Sequence, residues 1–198
     1  LTELADLLSD AGARVAPAAP DIDLEAYFVD YATLLNAMIS QGQPREAREA
    51  RAADLRRAGD PLTAAQAHGL TLDAQDYLAL VGRREAARQA WRAFFDQWDV
   101  VIAPMTLDAA FPHQTERFDE RTLVVDNQTV PYFHNIAFPM LAIFAGLPST
   151  AFPAGCNDQG LPLGLQAIGP YLEDRTTLKF AQLVEQVWHR FEAPPGYA

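Results

Sequence analysis

Apolar residues recur at helical spacing in three long segments of the chain, and each predicts an amphipathic helix. The first covers residues 24–38, with Asp21 or Asp23 as the candidate N-cap, and its stripe consists of Leu24, Phe28, Tyr31, Leu35 and Met38. The second covers residues 72–98, with Thr71 as the candidate N-cap, and its predicted buried face consists of Tyr77, Leu80, Val81, Ala87, Trp91, Phe94 and Trp98. The third begins at Asp174, is followed by Pro194 and Pro195, and carries the stripe Phe180, Leu183, Val184, Val187, Trp188 and Phe191.

Short apolar runs between turn residues predict strands. Residues 100–103 form a continuous apolar run that suits a strand buried on both faces, and Pro104 ends it. Residues 149–153 and 163–168 predict an antiparallel hairpin, because the intervening Asn-Asp-Gln-Gly at 157–160 favours a turn. The segment AGARVAP after Gly12 predicts a further short strand, and LVVDNQTV predicts a second hairpin within the loop 111–132.

Two further helices complete the pattern. Residues 45–57 alternate in charge and predict a peripheral helix without a core face, closed by Gly59, Asp60 and Pro61. Residues 132–145 predict a buried helix with a kink at Pro139, which ends at Gly146. The alternation of helices with buried strands predicts an α/β fold. It places Met105 and Thr106 at the carboxyl end of a strand, where open α/β sheets bind ligands.

Composition and charge exclude several classes of partner. A net charge of −11 with a pI near 4.6 disfavours nucleic acid, because phosphate contacts need clustered cations. No apolar run is long enough to span a bilayer, so no membrane partner is expected. Cys156 is the single cysteine, and no Cys/His pair has zinc-ligand spacing. These features predict a cytoplasmic protein without metal or cofactor.

Catalytic residues are sparse in this chain. Ser149 could be a nucleophile with His134 as its base and Asp108 or Asp126 as the orienting group; the alternative is a strand-start hydroxyl bonded to its own backbone. Lys179 is the single lysine, and helical periodicity turns it to a polar face, whereas a lysine base must be desolvated. Among the four histidines, His113 is the best candidate to line a pocket.

The segment AGLPSTAFPAGCNDQGLPLGLQAIGPYLEDRTTL resembles the C-terminal section of the amidase signature family, which hydrolyses carbon–nitrogen amide bonds. The matching pieces occur in the family's order and cover nearly all of the chain: AGARV, DVVIAPMT, NIAFPMLAIFAGLPSTAFPAG, GLPLGLQAIGPYLEDRTTL and a closing helix. The resemblance implies the C-terminal part of an α/β/α sandwich with a mixed sheet flanked by helices. It also implies a single domain over residues 1–198, with a helical insert at about 21–70.

The family's catalytic apparatus is not recognisable in this chain. Family members use a serine nucleophile, a second serine in a cis peptide and a lysine, whereas this chain has no Gly/Ser-rich tract and its lysine is misplaced. The resemblance therefore implies a C-terminal portion whose catalytic residues lie outside the chain, consistent with a first residue that is Leu and not Met. The pocket residues implied by position in the family pattern are Met105, Thr106, His113, Asn135 and Phe138. Asn135 lies where glutamine-using relatives place an acidic residue for the substrate amine, which implies a substrate unlike an amino acid.

Three hypotheses follow. In the first, the chain is the scaffold and pocket portion of an amidase, acts on a small amide in the full-length enzyme, and is inactive alone. In the second, it is a standalone binding or assembly domain that reuses the fold. In the third, it is a different hydrolase that uses Ser149 and His134. Homodimer formation through an exposed sheet edge is left open.

Overall fold

The computed structural model describes residues 1–57, 59–193 and 196. Pro194 and Pro195, predicted to follow the last helix, lie outside the described residues. The chain divides into two compact units, which we call the sheet unit (Leu1–Ala19 with Phe94–Ala198) and the helical unit (Pro20–Ala93). In chain order the elements are α1 (Thr2–Asp10), α2 (Leu24–Ile39), α3 (Arg45–Arg56), α4 (Pro61–Leu70), α5 (Ala74–Phe95), β1 (Val101–Pro104), β2 (Thr122–Val125), β3 (Gln128–Pro131), α6 (Pro139–Ala145), β4 (Ser149–Cys156), β5 (Pro162–Ile168) and α7 (Asp174–Val187).

The main sheet of the sheet unit has three strands in the order β1-β5-β4, and its pairs are antiparallel. The predicted β4–β5 hairpin is confirmed, and Asn157 Oδ1 stabilises its turn by accepting from the N–H groups of Gln159 and Leu161. β5 is therefore central, and Ile168 pairs with both Val101 and Ser149. The predicted α/β class is confirmed, with helices and small antiparallel sheets in one chain.

The second hairpin, β2–β3, is also confirmed. Its turn residues Asp126 and Asn127 have φ values of 50° and 62°, the left-handed pair that a two-residue hairpin turn requires. A 3-10 helix, Tyr132–Ile136, follows, and α6 begins at Pro139. The predicted single helix over 132–145 is thus two helices, because proline suits the first position of a helix better than its interior. Gly146 ends α6 in the left-handed conformation, as predicted.

The predicted strand in AGARVAP is wrong: residues 13–20 pair with no described strand. Gly12 has φ +91° and turns the chain away from α1. The segment after Gly12 is held in place by the side chain of Arg14 and not by backbone pairing with a strand. The guanidinium of Arg14 lies 4.4 Å from the ring centroid of Trp98 and donates a hydrogen bond to the carbonyl of Gln97.

The core of the sheet unit forms where α1 and α7 meet β4 and β5. Its buried members are Leu4, Phe152, Leu165, Ala167 and Val184. The predicted stripe of α7 is only partly correct, because Leu183 and Val187 are about half exposed (48% and 53%) while Val184 is 1% exposed. Helical periodicity identifies an apolar face, but burial also requires a packing layer opposite every residue of that face.

In the helical unit, the predicted N-cap and the predicted buried face of α5 are both partly wrong. Residues 61–70 form α4, capped by Asp60 and started by Pro61, and Thr71 follows its C-terminus instead of capping the next helix. The N-terminus of α5 uses Asp73, whose Oδ1 accepts from the N–H of Asp76 at 2.8 Å. On α5, Leu80 and Trp91 are buried, whereas Tyr77 and Val81 are about 40% exposed.

The buried faces of α2 and α3 also differ from prediction. Of the two predicted candidates, Asp21 and Asp23, it is Asp23 that caps α2. Leu24 and Met38 are about half exposed, and the buried positions are Tyr27, Tyr31, Ala32, Thr33 and Asn36. α4 packs against α2, and Gly69 of α4 lies close to Thr33 and Asn36. The hydroxyl of Tyr27 instead accepts a hydrogen bond from the indole N–H of Trp91 on α5 at 3.3 Å. α3 has a small core face after all, because Ala52 and Leu55 pack with Ala67 and Leu70 of α4.

Candidate functional site

The loop after β1 forms one wall of the candidate site. The N–H of Met105 donates to the carbonyl of Gly164 on β5 at 3.3 Å, so pairing continues one residue beyond the strand. The Thr106 hydroxyl then donates to the carbonyl of Asp108 at 2.7 Å and closes a tight turn. Met105 and Thr106 therefore lie at the carboxyl end of a strand, as the sequence predicts.

Asn135 contacts this loop. Its Oδ1 accepts a hydrogen bond from the N–H of Leu107 at 3.3 Å, across 28 positions of sequence. Asn135 is half-buried in the 3-10 helix Tyr132–Ile136, and Phe138 is half-buried immediately before α6. The structure thus brings Asn135 to the loop that carries Met105 and Thr106.

His113 is less closely tied to the site. It lies in the exposed stretch of residues 110–113, and it forms no hydrogen bond or ion pair within the described ranges. A ring cluster occupies the neighbouring segment: Tyr132 meets Phe111 edge-to-face at 5.7 Å and Phe118 at 5.4 Å between centroids. The role of His113 as a pocket residue stays a prediction, as do those of Met105, Thr106, Asn135 and Phe138.

Sequence reasoning missed Gln166, the polar residue buried most deeply near the loop. It lies on the central strand β5 and is 1% exposed. Its Nε2 donates to the carbonyl of Pro104 at 2.9 Å, and its Oε1 accepts from the Ser149 hydroxyl at 2.8 Å. The sequence signal that could have identified it is a glutamine within an otherwise apolar strand. A polar side chain buried there needs hydrogen-bond partners, so it is expected to link neighbouring groups.

Three of the candidate catalytic residues, Ser149, Lys179 and Asp108, form hydrogen bonds with groups outside the proposed catalytic set. The Ser149 hydroxyl proton is directed at Gln166, a neutral acceptor that cannot act as a general base. Lys179 is exposed on α7, and its Nζ donates to Oε1 of Gln182 at 3.1 Å, so its ammonium is not desolvated. Asp126 lies in the β2–β3 turn, and Asp108 Oδ1 accepts from the N–H of Ala109.

A cavity of about 580 Å³ lies elsewhere in the sheet unit. Its lining comes from α1, residues 13–18, residues 98–102 and α7, and the apolar side chains among it include Leu8, Val15, Trp98, Ile102 and Phe180. None of the five predicted pocket residues lines this cavity. Within the described residues no group of three or more His, Cys, Asp or Glu is placed to hold a metal ion. Nor does that part of the chain contain a helix long and apolar enough to cross a membrane.

Solved structures of amidases share this fold. A crystal structure of an amidase matches with a TM-score of 0.67 and 24% identity, over 93% of this chain and 40% of that chain. The glutamyl-tRNA(Gln) amidotransferase A-type subunit of Thermotoga maritima matches with a TM-score of 0.67 and 20% identity, over 96% of this chain and 38% of that chain. A bacterial aryl acylamidase of the amidase signature family matches with a TM-score of 0.63 and 20% identity, over 94% and 39%. These likenesses show the fold.

Sequence comparison gives the family. The glutamyl-tRNA(Gln) amidotransferase A-type subunit of Brucella ovis is 41% identical over 93 residues, which are 47% of this chain and 17% of that protein. Its counterpart from Brucella anthropi is 40% identical over 91 residues, 46% of this chain and 17% of that protein. The chain therefore spans a minor part of the length of the relatives it matches. The family model described as Amidase matches residues 2–178, nearly the whole chain. The resemblance found in the sequence is confirmed, and the chain belongs to the Amidase family.

Proposed function

We propose that this chain is the C-terminal portion of an amidase, which hydrolyses carbon–nitrogen amide bonds with a Ser-Ser-Lys apparatus located outside these 198 residues. In this proposal the chain supplies sheet scaffold and walls of the substrate pocket. It forms one C-terminal amidase-type domain with a helical insert at about 21–70, a range contained in the helical unit Pro20–Ala93.

The observation that carries the proposal is the anchored loop at the end of β1. Gln166 holds the carbonyl of Pro104, and Asn135 holds the N–H of Leu107, so the backbone between them is held from both sides. A loop whose backbone is fixed at both ends is suited to form a wall of a binding pocket. The engaged hydroxyl of Ser149 and the exposed ammonium of Lys179 support a catalytic apparatus elsewhere.

The proposed substrate is a small amide without an ammonium group near the pocket loop. Asn135 is neutral, and one of its amide ends is already used by Leu107. The Nδ2 group of Asn135 suits a carbonyl or hydroxyl oxygen of the substrate better than a cation, because an amide nitrogen donates hydrogen bonds. A cytoplasmic location, the absence of nucleic-acid partners and homodimer formation stay predictions.

The experiment compares the 198-residue chain with the complete product of its gene on simple aromatic and aliphatic primary amides, with ammonia release as the measurement. We expect ammonia from the complete product and none above background from the chain alone. Turnover by the chain alone would contradict the external apparatus. If neither preparation hydrolyses an amide, the alternative of a non-catalytic binding or assembly domain replaces the proposal.

A further inference from the structure

Gln166 links all three strands of the main sheet through its side chain. It belongs to β5, its Oε1 meets Ser149 of β4, and its Nε2 meets the carbonyl of Pro104 at the end of β1. The side chain is 1% exposed, so these two contacts replace water as its hydrogen-bond partners. An amide side chain placed in this way fixes the relative positions of the groups it joins.

Chemistry determines the orientation of this amide. The carbonyl of Pro104 can only accept a hydrogen bond, so the Nε2 end of Gln166 must face it. The Oε1 end then faces Ser149, whose hydroxyl must donate. The three groups form one directed chain from hydroxyl to amide to carbonyl, in which each bond polarises the next.

Pro104 is the last residue of β1, and the backbone after it forms the candidate site. The next anchor is the bond from Leu107 N–H to Asn135 Oδ1. Between the two anchors lie Met105 and Thr106, both predicted to contact substrate. Two hydrogen bonds from β5 hold the beginning of this loop: Gln166 donates to the Pro104 carbonyl, and the carbonyl of Gly164 accepts from the N–H of Met105. Without Gln166 the first of these bonds is lost, and the weaker bond of 3.3 Å remains.

We propose that Gln166 is a positioning residue that sets the place of the Met105 and Thr106 backbone for amide hydrolysis. The proposal rests on the proposed amidase function. Gln166 does not touch the substrate: it acts through Pro104, and Ser149 acts through Gln166. A displacement of about 1 Å at a reacting site can cost about a hundredfold in rate, so a loop held from both ends has a direct kinetic consequence.

The test uses Gln166→Met and Gln166→Glu in the complete gene product, with Gln182→Met as the matched control on the exposed face of α7. In Gln166→Met we expect faster hydrogen exchange at the N–H groups of Met105 and Leu107, unchanged exchange in α2 and α4, and kcat/KM lowered at least tenfold. The control should match the unsubstituted protein in both measurements.

Gln166→Glu supplies a readout that a purely structural role would not move. A protonated glutamic acid can donate to Pro104 and accept from Ser149, whereas a carboxylate can only accept. We therefore expect the kcat of this variant, relative to that of the unsubstituted protein, to rise as the pH falls. This variant also decides the question if Gln166→Met fails to fold.

Either of two results for Gln166→Met would overturn the inference: unchanged exchange at Met105 and Leu107, or a kcat/KM equal to that of the control. A pH-independent ratio for Gln166→Glu would also contradict it. Failure of the proposed function is recognised separately, as absence of amide hydrolysis by the unsubstituted protein. Hydrogen exchange then still decides whether Gln166 anchors the loop.

Discussion

Oδ1 of Asn135 accepts a hydrogen bond from the backbone N–H of Leu107 at 3.3 Å and thereby joins a 3-10 helix to the loop after β1. An aspartate at this position would keep the acceptor and add a negative charge. We expect Asn135→Asp to preserve the fold. For amides that carry an ammonium group, KM should fall about fivefold relative to the KM for neutral isosteres, which corresponds to about 1 kcal/mol for a partly exposed ion pair.

The control for this prediction is Asn135→Leu, which removes the acceptor without adding charge. We expect it to lower the free energy of unfolding by about 1 kcal/mol, the ordinary net value of one hydrogen bond, without a preference for cationic amides. Steady-state kinetics on a matched pair of amides distinguishes the two variants. Equal specificity ratios in Asn135→Asp and the unsubstituted protein would remove Asn135 from the proposed pocket.

Ser149 provides a second prediction, because its role as nucleophile and its role as a partner of Gln166 differ greatly in magnitude. As a partner, its loss in Ser149→Ala should lower stability by about 1 kcal/mol. In the complete gene product we expect kcat to fall less than tenfold. Loss of a nucleophilic serine lowers kcat by about a millionfold in a serine protease. The losses of kcat expected for the two roles therefore differ so much that one measurement distinguishes them.

Two helical glycines offer a matched pair in the helical unit. A Cβ at Gly69 of α4 would lie 2.3 Å from the carbonyl oxygen of Thr33 and 2.9 Å from Cβ of Asn36, both on α2. A Cβ at Gly82 of α5 would meet nothing within 4 Å. We expect Gly69→Ala to destabilise by about 1–3 kcal/mol through overpacking and Gly82→Ala to stabilise by up to about 1 kcal/mol through helix propensity.

Urea denaturation followed by far-UV circular dichroism measures both glycine variants on the same protein. Opposite shifts of the midpoint are expected. A Gly69→Ala midpoint equal to or above that of the unsubstituted protein would show that α2 and α4 do not approach as closely as described.

Asp60 gives a prediction that depends on pH. Its Oδ1 accepts from the N–H groups of Leu62 and Thr63 at 3.0 Å, and its Oδ2 accepts from the Thr63 hydroxyl at 2.6 Å. Partial burial alone would raise the pKa of this carboxyl, but these hydrogen bonds outweigh burial and lower the pKa below its ordinary value. The ionised form is therefore favoured by folding.

At neutral pH we expect Asp60→Ala to lose about 0.5–2 kcal/mol of stability, the usual value of an N-cap. Because the folded pKa is the lower one, the contribution of the charge is complete above the ordinary carboxyl pKa and disappears as the pH falls through the folded value. Asp60→Asn keeps a capping oxygen without a titrating charge and is the control. An Asp60→Ala deficit that stays constant through the acid range would contradict this assignment.

Local signals explain which elements the sequence predicts correctly. The β4–β5 turn at Asn157, the end of α6 at Gly146 and the cap of α2 at Asp23 depend on residues within a few positions of one another. α4 carried such a signal as well. Asp60 followed by Pro61 is an N-cap with proline at the first helical position, although the same residues also resemble the end of α3.

Whether a side chain is buried depends on neighbours that are distant in sequence, so helical periodicity alone does not predict the buried face of each helix. Tyr27 of α2 is buried with Trp91 of α5, whose indole N–H donates to the Tyr27 hydroxyl across 64 positions, whereas Leu24 and Met38 of the predicted stripe are about half exposed. The link from Gln166 to Pro104 spans 62 positions and the link from Asn135 to Leu107 spans 28. The sequence could place Asn135 near the site through the family pattern, but it offered no comparable signal for the partners of Gln166.

The location of the nucleophile tests the central claim most directly. A serine-directed fluorophosphonate, applied to a preparation of the complete gene product that hydrolyses amides, would be followed by mass-spectrometric mapping of the labelled peptide. Residues 1–198 contain three serines, Ser9, Ser40 and Ser149. We predict that the label lies on a serine outside residues 1–198 and that hydrolysis stops in proportion to labelling. A label on Ser149, or on either of the other two serines, with the same loss of activity would contradict the account.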